Sequence, residues 1–155
     1  MLTGRTARFA LDATVDGAGV RLRTTTARTI RGTVALSALP DSATGSVTLR
    51  LDGLRSGTRE FNEGEVRADL LGGWQARMSA QFTAPSGVQA RALADVRRRA
   101  DTTLVRIDSL WARTSANRWS ISQPTNGAWD ARGFRFDTLA LAGASTRLDV
   151  YLIHP

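Results

Sequence analysis

The chain has 155 residues, 42% hydrophobic and 23% charged, which is long enough for one domain with a core and too apolar for a disordered polypeptide. Its formal charge of +7 rests on 21 basic residues, all arginine and scattered along the chain, so it reads as solvated strand faces and no nucleic-acid partner is expected. Cysteine is absent, which excludes disulfides, thiolate metal sites and cysteine nucleophiles, and no run approaches the ~18 apolar residues that cross a membrane as a helix.

In chain order, the dominant period is two. Apolar residues alternate in Phe9-Leu11-Ala13-Val15, Val20-Leu22, Val34-Leu36-Ala38 and Val47-Leu49-Leu51. The cleanest run is WQARMSAQF, where Trp74, Ala76, Met78, Ala80 and Phe82 fall on one strand face and Gln75, Arg77, Ser79 and Gln81 on the other. Val105-Ile107, Trp119-Ile121 and Phe134-Phe136 are shorter instances. Residues 88–99 are ambiguous: Ala, Leu and Arg favour helix, while Val88, Ala90, Ala92, Ala94 and Val96 alternate strictly and favour strand. Turn signals punctuate these runs at Asp16-Gly17, Leu39-Pro40-Asp41-Ser42, Ser56-Gly57, Asn62-Glu63-Gly64 and Gly72-Gly73. They continue at Pro85-Ser86-Gly87, Ser115-Ala116-Asn117, Pro124-Thr125-Asn126-Gly127 and Ala131-Arg132-Gly133. Such punctuation predicts an all-β, antiparallel meander of about ten to twelve short strands.

One phrase recurs: Leu49-Arg50-Leu51-Asp52-Gly53-Leu54, Val105-Arg106-Ile107-Asp108-Ser109-Leu110 and Phe134-Arg135-Phe136-Asp137-Thr138-Leu139, with a looser copy at Val66-Arg67-Ala68-Asp69-Leu70-Leu71. In the first three the apolar positions change parity after the Asp. An ideal strand would then turn its apolar set to the opposite side. The Asp and its small neighbour are therefore expected to absorb a bulge or corner that keeps both halves facing one side. Several such strands side by side predict a curved, groove-like (taco-shaped) sheet with an apolar inner face.

Catalytic constellations are not evident. The single histidine, His154, is next to the last residue, and Gly72-Gly73 opens no helix. Glu60, Glu63 and Glu65 are expected to flank a solvated turn and not to hold a cation, and Asp52, Asp108 and Asp137 to mark bends. No enzyme activity and no cofactor are expected. Trp111, Trp119 and Trp129, beside Phe134 and Phe136, suit base stacking, an acyl-chain groove or a plain core.

The stretch from Asp108 to Gly143 resembles the repeats of the TamB and AsmA-like family of bacterial envelope proteins. The matching elements are Asp108-Ser109-Leu110, Trp119-Ser120-Ile121 with Pro124, and Phe134-Arg135-Phe136-Asp137-Thr138-Leu139 with Gly143. The resemblance implies a long β-sheet, open along one side, that is held at the inner membrane and crosses the periplasm of a diderm bacterium. It implies traffic of phospholipid between the membranes, assembly of outer-membrane proteins with a barrel partner, and no catalytic residues. On this reading residues 1–155 are one β-repeat segment of a longer chain, in contact with neighbouring repeats.

The expected ligand is the acyl chain of a phospholipid, and the residues expected to line the groove are Val47, Leu49, Leu51, Trp74, Met78, Phe82, Val105, Ile107, Trp119, Ile121, Phe134 and Phe136. The competing expectation is a structural or adhesive β-module, such as a surface β-solenoid fragment working through protein contacts. The uneven spacing of the phrases argues against a steady solenoid coil.

Overall fold

The computed structural model describes residues 8–22, 24–39, 42–131, 133–143 and 147–150, with backbone alone at 22, 56, 134 and 147–150. His154, Pro40 and Asp41 lie outside the described residues. Twelve strands follow in chain order: β1 (Phe9–Leu22), β2 (Thr25–Leu39), β3 (Thr44–Ser56), β4 (Arg59–Gly72), β5 (Gln75–Thr83), β6 (Gln89–Arg99), β7 (Thr102–Arg113), β8 (Arg118–Ile121), β9 (Thr125–Asp130), β10 (Gly133–Phe136), β11 (Leu139–Gly143) and β12 (Arg147–Val150). No helix occurs among the described residues. Every pairing is antiparallel, and the strands lie in one open sheet in sequence order through β7. There the path divides. The C-terminal part of β7 pairs with β8, which continues to β11 and β12, and its N-terminal part pairs with β9, which continues to β10.

The all-β antiparallel meander expected from the alternation is what forms, and residues 89–99 are strand. Cross-strand packing of Ala90, Ala92, Ala94 and Val96 outweighs the helix propensity of Ala and Arg there. The first four strands are longer than expected, at 14, 15, 13 and 14 residues. Two presumed turns explain the difference, because Asp16-Gly17 and Asn62-Glu63-Gly64 lie inside β1 and β4. Likewise Thr125, Asn126 and Gly127 open strand β9 and do not reverse the chain.

These misplaced turns belong to a line that crosses the sheet. The inward positions run Leu11, Ala13, Val15, Gly17 and then Val20 in β1; Leu36, Val34, Gly32, Ile30 and then Ala27 in β2; Val47, Leu49, Leu51 and then Leu54 in β3; and Leu70, Ala68, Val66, Gly64 and then Phe61 in β4. Each strand skips two residues at the same level, and the register is otherwise kept. Gly19 and Gly53 take up the strain with φ of +63° and +59°. A second line crosses the later strands. Leu93 faces Ser109 while Ala94 faces Ile107, which makes Asp108 the extra residue of a bulge in β7. At the same level β8 and β9 are separated at 122–124, and β10 and β11 at Asp137 and Thr138. That gap is pinned by the Thr125 hydroxyl donating to the Thr138 carbonyl and by the Asp137 N–H donating to the Asn126 carbonyl at 2.9 Å. The phrase is thus a strand with a phase reset, and its Asp residues sit where the reset occurs.

A single layer results. Among the described residues only Ala27, Gly64, Thr125 and Gly127 are buried, and no large side chain is fully buried. The accessible surface is 11374 Å², against about 7,600 Å² for a compact monomer of this mass.

Candidate functional site: the uncovered apolar face

Residues directly opposite in an antiparallel pair share a face, so the register assigns the two surfaces of the sheet. One row runs Ala13, Val34, Val47, Ala68, Met78, Ala94, Ile107 and Thr125. The next begins Val15, Gly32, Leu49, Val66, Ala80, Ala92 and Leu110, and Ile121 and Leu141 lie opposite each other at its far end. A third holds Gly17, Ile30, Leu51, Gly64, Phe82, Ala90, Ala112, Trp119 and Gly143. A fourth holds Leu11, Leu36, Gly45, Leu70, Ala76, Val96, Val105, Gly127 and Phe136. Ten of the twelve residues expected to line the groove therefore fall on one face, which no second layer of described residues covers.

Trp74 requires a correction. The strand begins at Gln75, and Gly73 and Trp74 form the β4–β5 turn with φ of +56° and +59°. Two successive positive φ values are the hairpin geometry that matches sheet twist, so the alternation in WQARMSAQF is a strand pattern only from Gln75 onward. Trp74 is 65% exposed beneath the Arg98 guanidinium, 5.7 Å from the ring centre. The Phe134 backbone pairs with Trp129, and its side chain lies outside what is described.

Two glycines that sequence reasoning treated as turn residues belong to this face. A Cβ on Gly64 would lie 2.7 Å from the Phe82 ring, and one on Gly127 would lie 2.8 Å from the Phe136 ring. Each ring lies against its glycine, and both glycines are buried. Phe61 packs on Phe82 at 5.6 Å between centroids, across the first reset line. Leu70, Val96 and Leu110 also lie on the face, and register alone could have found them.

The other face carries arginines and acids in rungs. Arg50 pairs with Glu65 at 3.0 Å, Arg77 with Asp95 at 3.1 Å, and Arg55 with Glu60. Within a strand, Arg67 reaches Asp69 at 2.8 Å and Arg106 reaches Asp108 at 2.9 Å. Two of the four copies of the recurring phrase thus pair their own Arg and Asp, which share a face two residues apart, while Arg50 takes Glu65 and Arg135 takes Asp130. The side-chain hydrogen bond and charge of Asp69 raise the Arg67 pKa. Of the three glutamates, Glu60 and Glu65 are held by arginine, and Glu63 faces Asp52 and Thr83 across the strands. Among the described residues no three acidic or histidine side chains converge as metal ligands do. A depression of about 670 Å³ on this polar side is lined by Arg50, Glu65, Gln81, Arg91 and Trp111. Trp111, unlike Trp119, thus belongs to the charged surface, under Arg118 at 5.4 Å.

The chain matches no family model, no curated protein and no solved structure. Its function is therefore argued from this face.

Proposed function

We propose that the chain is a non-enzymatic segment of a TamB/AsmA-like envelope protein, working in the periplasm of a diderm bacterium on a parent chain anchored in the inner membrane. The two reset lines curve the sheet into a gutter, and phospholipid acyl chains lie along its apolar wall while crossing between membranes. The observation that carries this reading is the uncovered apolar face. A soluble sheet with one oily side must cover it with protein or with something else. The row from Leu11 to Phe136 crosses nine strands, or about 38 Å at the usual strand spacing. An acyl chain is about 15 Å long, half the thickness of a bilayer core. Each methylene removed from water contributes up to about 0.8 kcal/mol, so binding needs no polar recognition.

The test is purification without detergent, followed by extraction and mass spectrometry. Phospholipid is expected at one or more molecules per chain, and Leu49→Glu with Phe82→Glu is expected to remove most of it. Lipid-free, monomeric, folded wild-type protein would count against the reading.

A second reading, contact with neighbouring repeats or with an outer-membrane barrel protein, is favoured by the β1 edge. There Phe9, Leu11 and Val15 are 57%, 43% and 42% exposed on an edge that no described strand pairs. A photo-crosslinker at Ala10 is expected to capture a strand of the parent chain or of a barrel client. No product in cells would remove this reading. The adhesive or solenoid alternative has no comparable feature.

A further inference from the structure

The two ends of the strands differ. One end carries the β4–β5, β6–β7 and β9–β10 connections, and there the large exposed apolar side chains gather: Trp74 in its turn, Trp129 opposite Thr103, and Leu71 and Leu104 beside them. The other end carries the connections at 57–58, 84–88 and 114–117, which are built from Gly, Thr, Pro, Ser, Asn, Ala and one Val and hold none of the large exposed apolar side chains.

At the first end the two surfaces of the sheet both become apolar. Trp74 and Trp129 continue the apolar side, since Arg98 is opposite Thr103 and Thr103 is opposite Trp129. Leu71 and Leu104 line a depression on the opposite side together with Arg97. Among the described residues no ion pair holds Arg97, Arg98 or Arg99. Arg97 donates to the Gln75 side-chain oxygen at 3.4 Å, Arg98 donates to the Ala100 carbonyl at 3.2 Å and lies over Trp74, and Asp101 in the same turn offsets one charge of the three.

Exposed indoles beside unneutralised guanidiniums are what the interfacial layer of a membrane accommodates. The ring enters the boundary of the acyl region, and the cation meets the headgroup phosphates. We infer that this end of the sheet seats in the surface of an anionic phospholipid bilayer, and that the apolar face opens there onto the acyl layer. The inference rests on the lipid reading above and adds where lipid enters: sideways, over the rim formed by these strand ends, where this stretch of the gutter lies along the bilayer.

The test is co-sedimentation of the full chain with vesicles of phosphatidylcholine alone or with about one third phosphatidylglycerol. Binding to the anionic vesicles alone is expected. Changing Arg97, Arg98 and Arg99 to Gln is expected to weaken it about fivefold per arginine, on the order of a hundredfold in all. A charge-matched control with Arg21, Arg59 and Arg118 changed to Gln, at the opposite end, is expected to lose much less. Trp74→Gly, which suits the positive φ of the turn, and Trp129→Thr should each reduce binding while the far-ultraviolet circular dichroism is unchanged.

Equal losses for both arginine triples, no effect of the tryptophan changes, or preference for a single-stranded oligonucleotide over anionic vesicles would overturn the inference. The two proposals fail separately. Vesicle binding that depends on this end but comes without co-purified lipid sinks the groove alone, and co-purified lipid with indifferent ends sinks only the seating.

Discussion

At the scale of single residues, the face is smoothed by pairs that the sequence hides. Phe82 and Phe136 were legible as inward residues from alternation, but the glycines under their rings were not. Gly64 and Gly127 sit in clusters with the composition of turns, and only the register places a ring on each. Gly64→Ala is expected to push the Phe82 ring aside and cost about 1–3 kcal/mol. Chemical denaturation checks this, and the cost should shrink in a Phe82→Ala background, where nothing remains to collide. Trp74 continues the apolar side, but from a turn and not from the strand. Its place in an alternating run is real, but two successive positive φ values bend the chain before the strand begins. Gly53→Ala, at φ +59° with Arg28 atoms 3.0 Å from the new Cβ, is expected to destabilise by about 1–2 kcal/mol through backbone strain.

At the scale of elements, Asp and a small residue mark where a strand changes phase. That much was readable from the parity change in Ile107, Asp108 and Leu110. It was not readable that Ala18-Gly19 and Asn62-Glu63 do the same work in their neighbours, because a reset and a reversal use the same residue types. Deleting Asp108 removes the extra residue and leaves Ile107, Ser109 and Leu110 in plain alternation, so Leu110 and Ala112 keep the apolar side and only the bulge is lost. The protein is expected to keep its cooperative thermal transition after this deletion, as after Asp108→Asn, and loss of the transition on deletion would contradict the bulge assignment. The ion-pair rungs matter less individually. They are exposed, and Arg106→Ala is expected to change stability by less than about 1 kcal/mol in 0.15 M salt. The raised pKa of Arg67 means that its guanidinium stays charged through the ordinary arginine value and is neutralised only as pH rises through the folded one. Arg67→Gln should therefore leave the pH dependence of the unfolding midpoint unaltered around neutrality.

At the scale of the whole molecule, the described residues make one sheet of twelve strands and no second layer, so its apolar face is left open. Alternation gave the meander and ten residues of the apolar face, and the recurring phrase gave the resets. What alternation could not give is the absence of a covering layer, since a half-covered strand has the same pattern in a sandwich as in an open sheet. The central claim is that the face bearing Trp119 is open to acyl chains while the face bearing Trp111 is not. Two variants test it, each keeping one of these tryptophans and replacing the other three, Trp74 and Trp129 included. Titration with phospholipid brominated along its acyl chains should quench Trp119 strongly and leave Trp111 near its starting intensity. Equal quenching of both, or quenching of neither, would contradict an oily wall that takes up lipid.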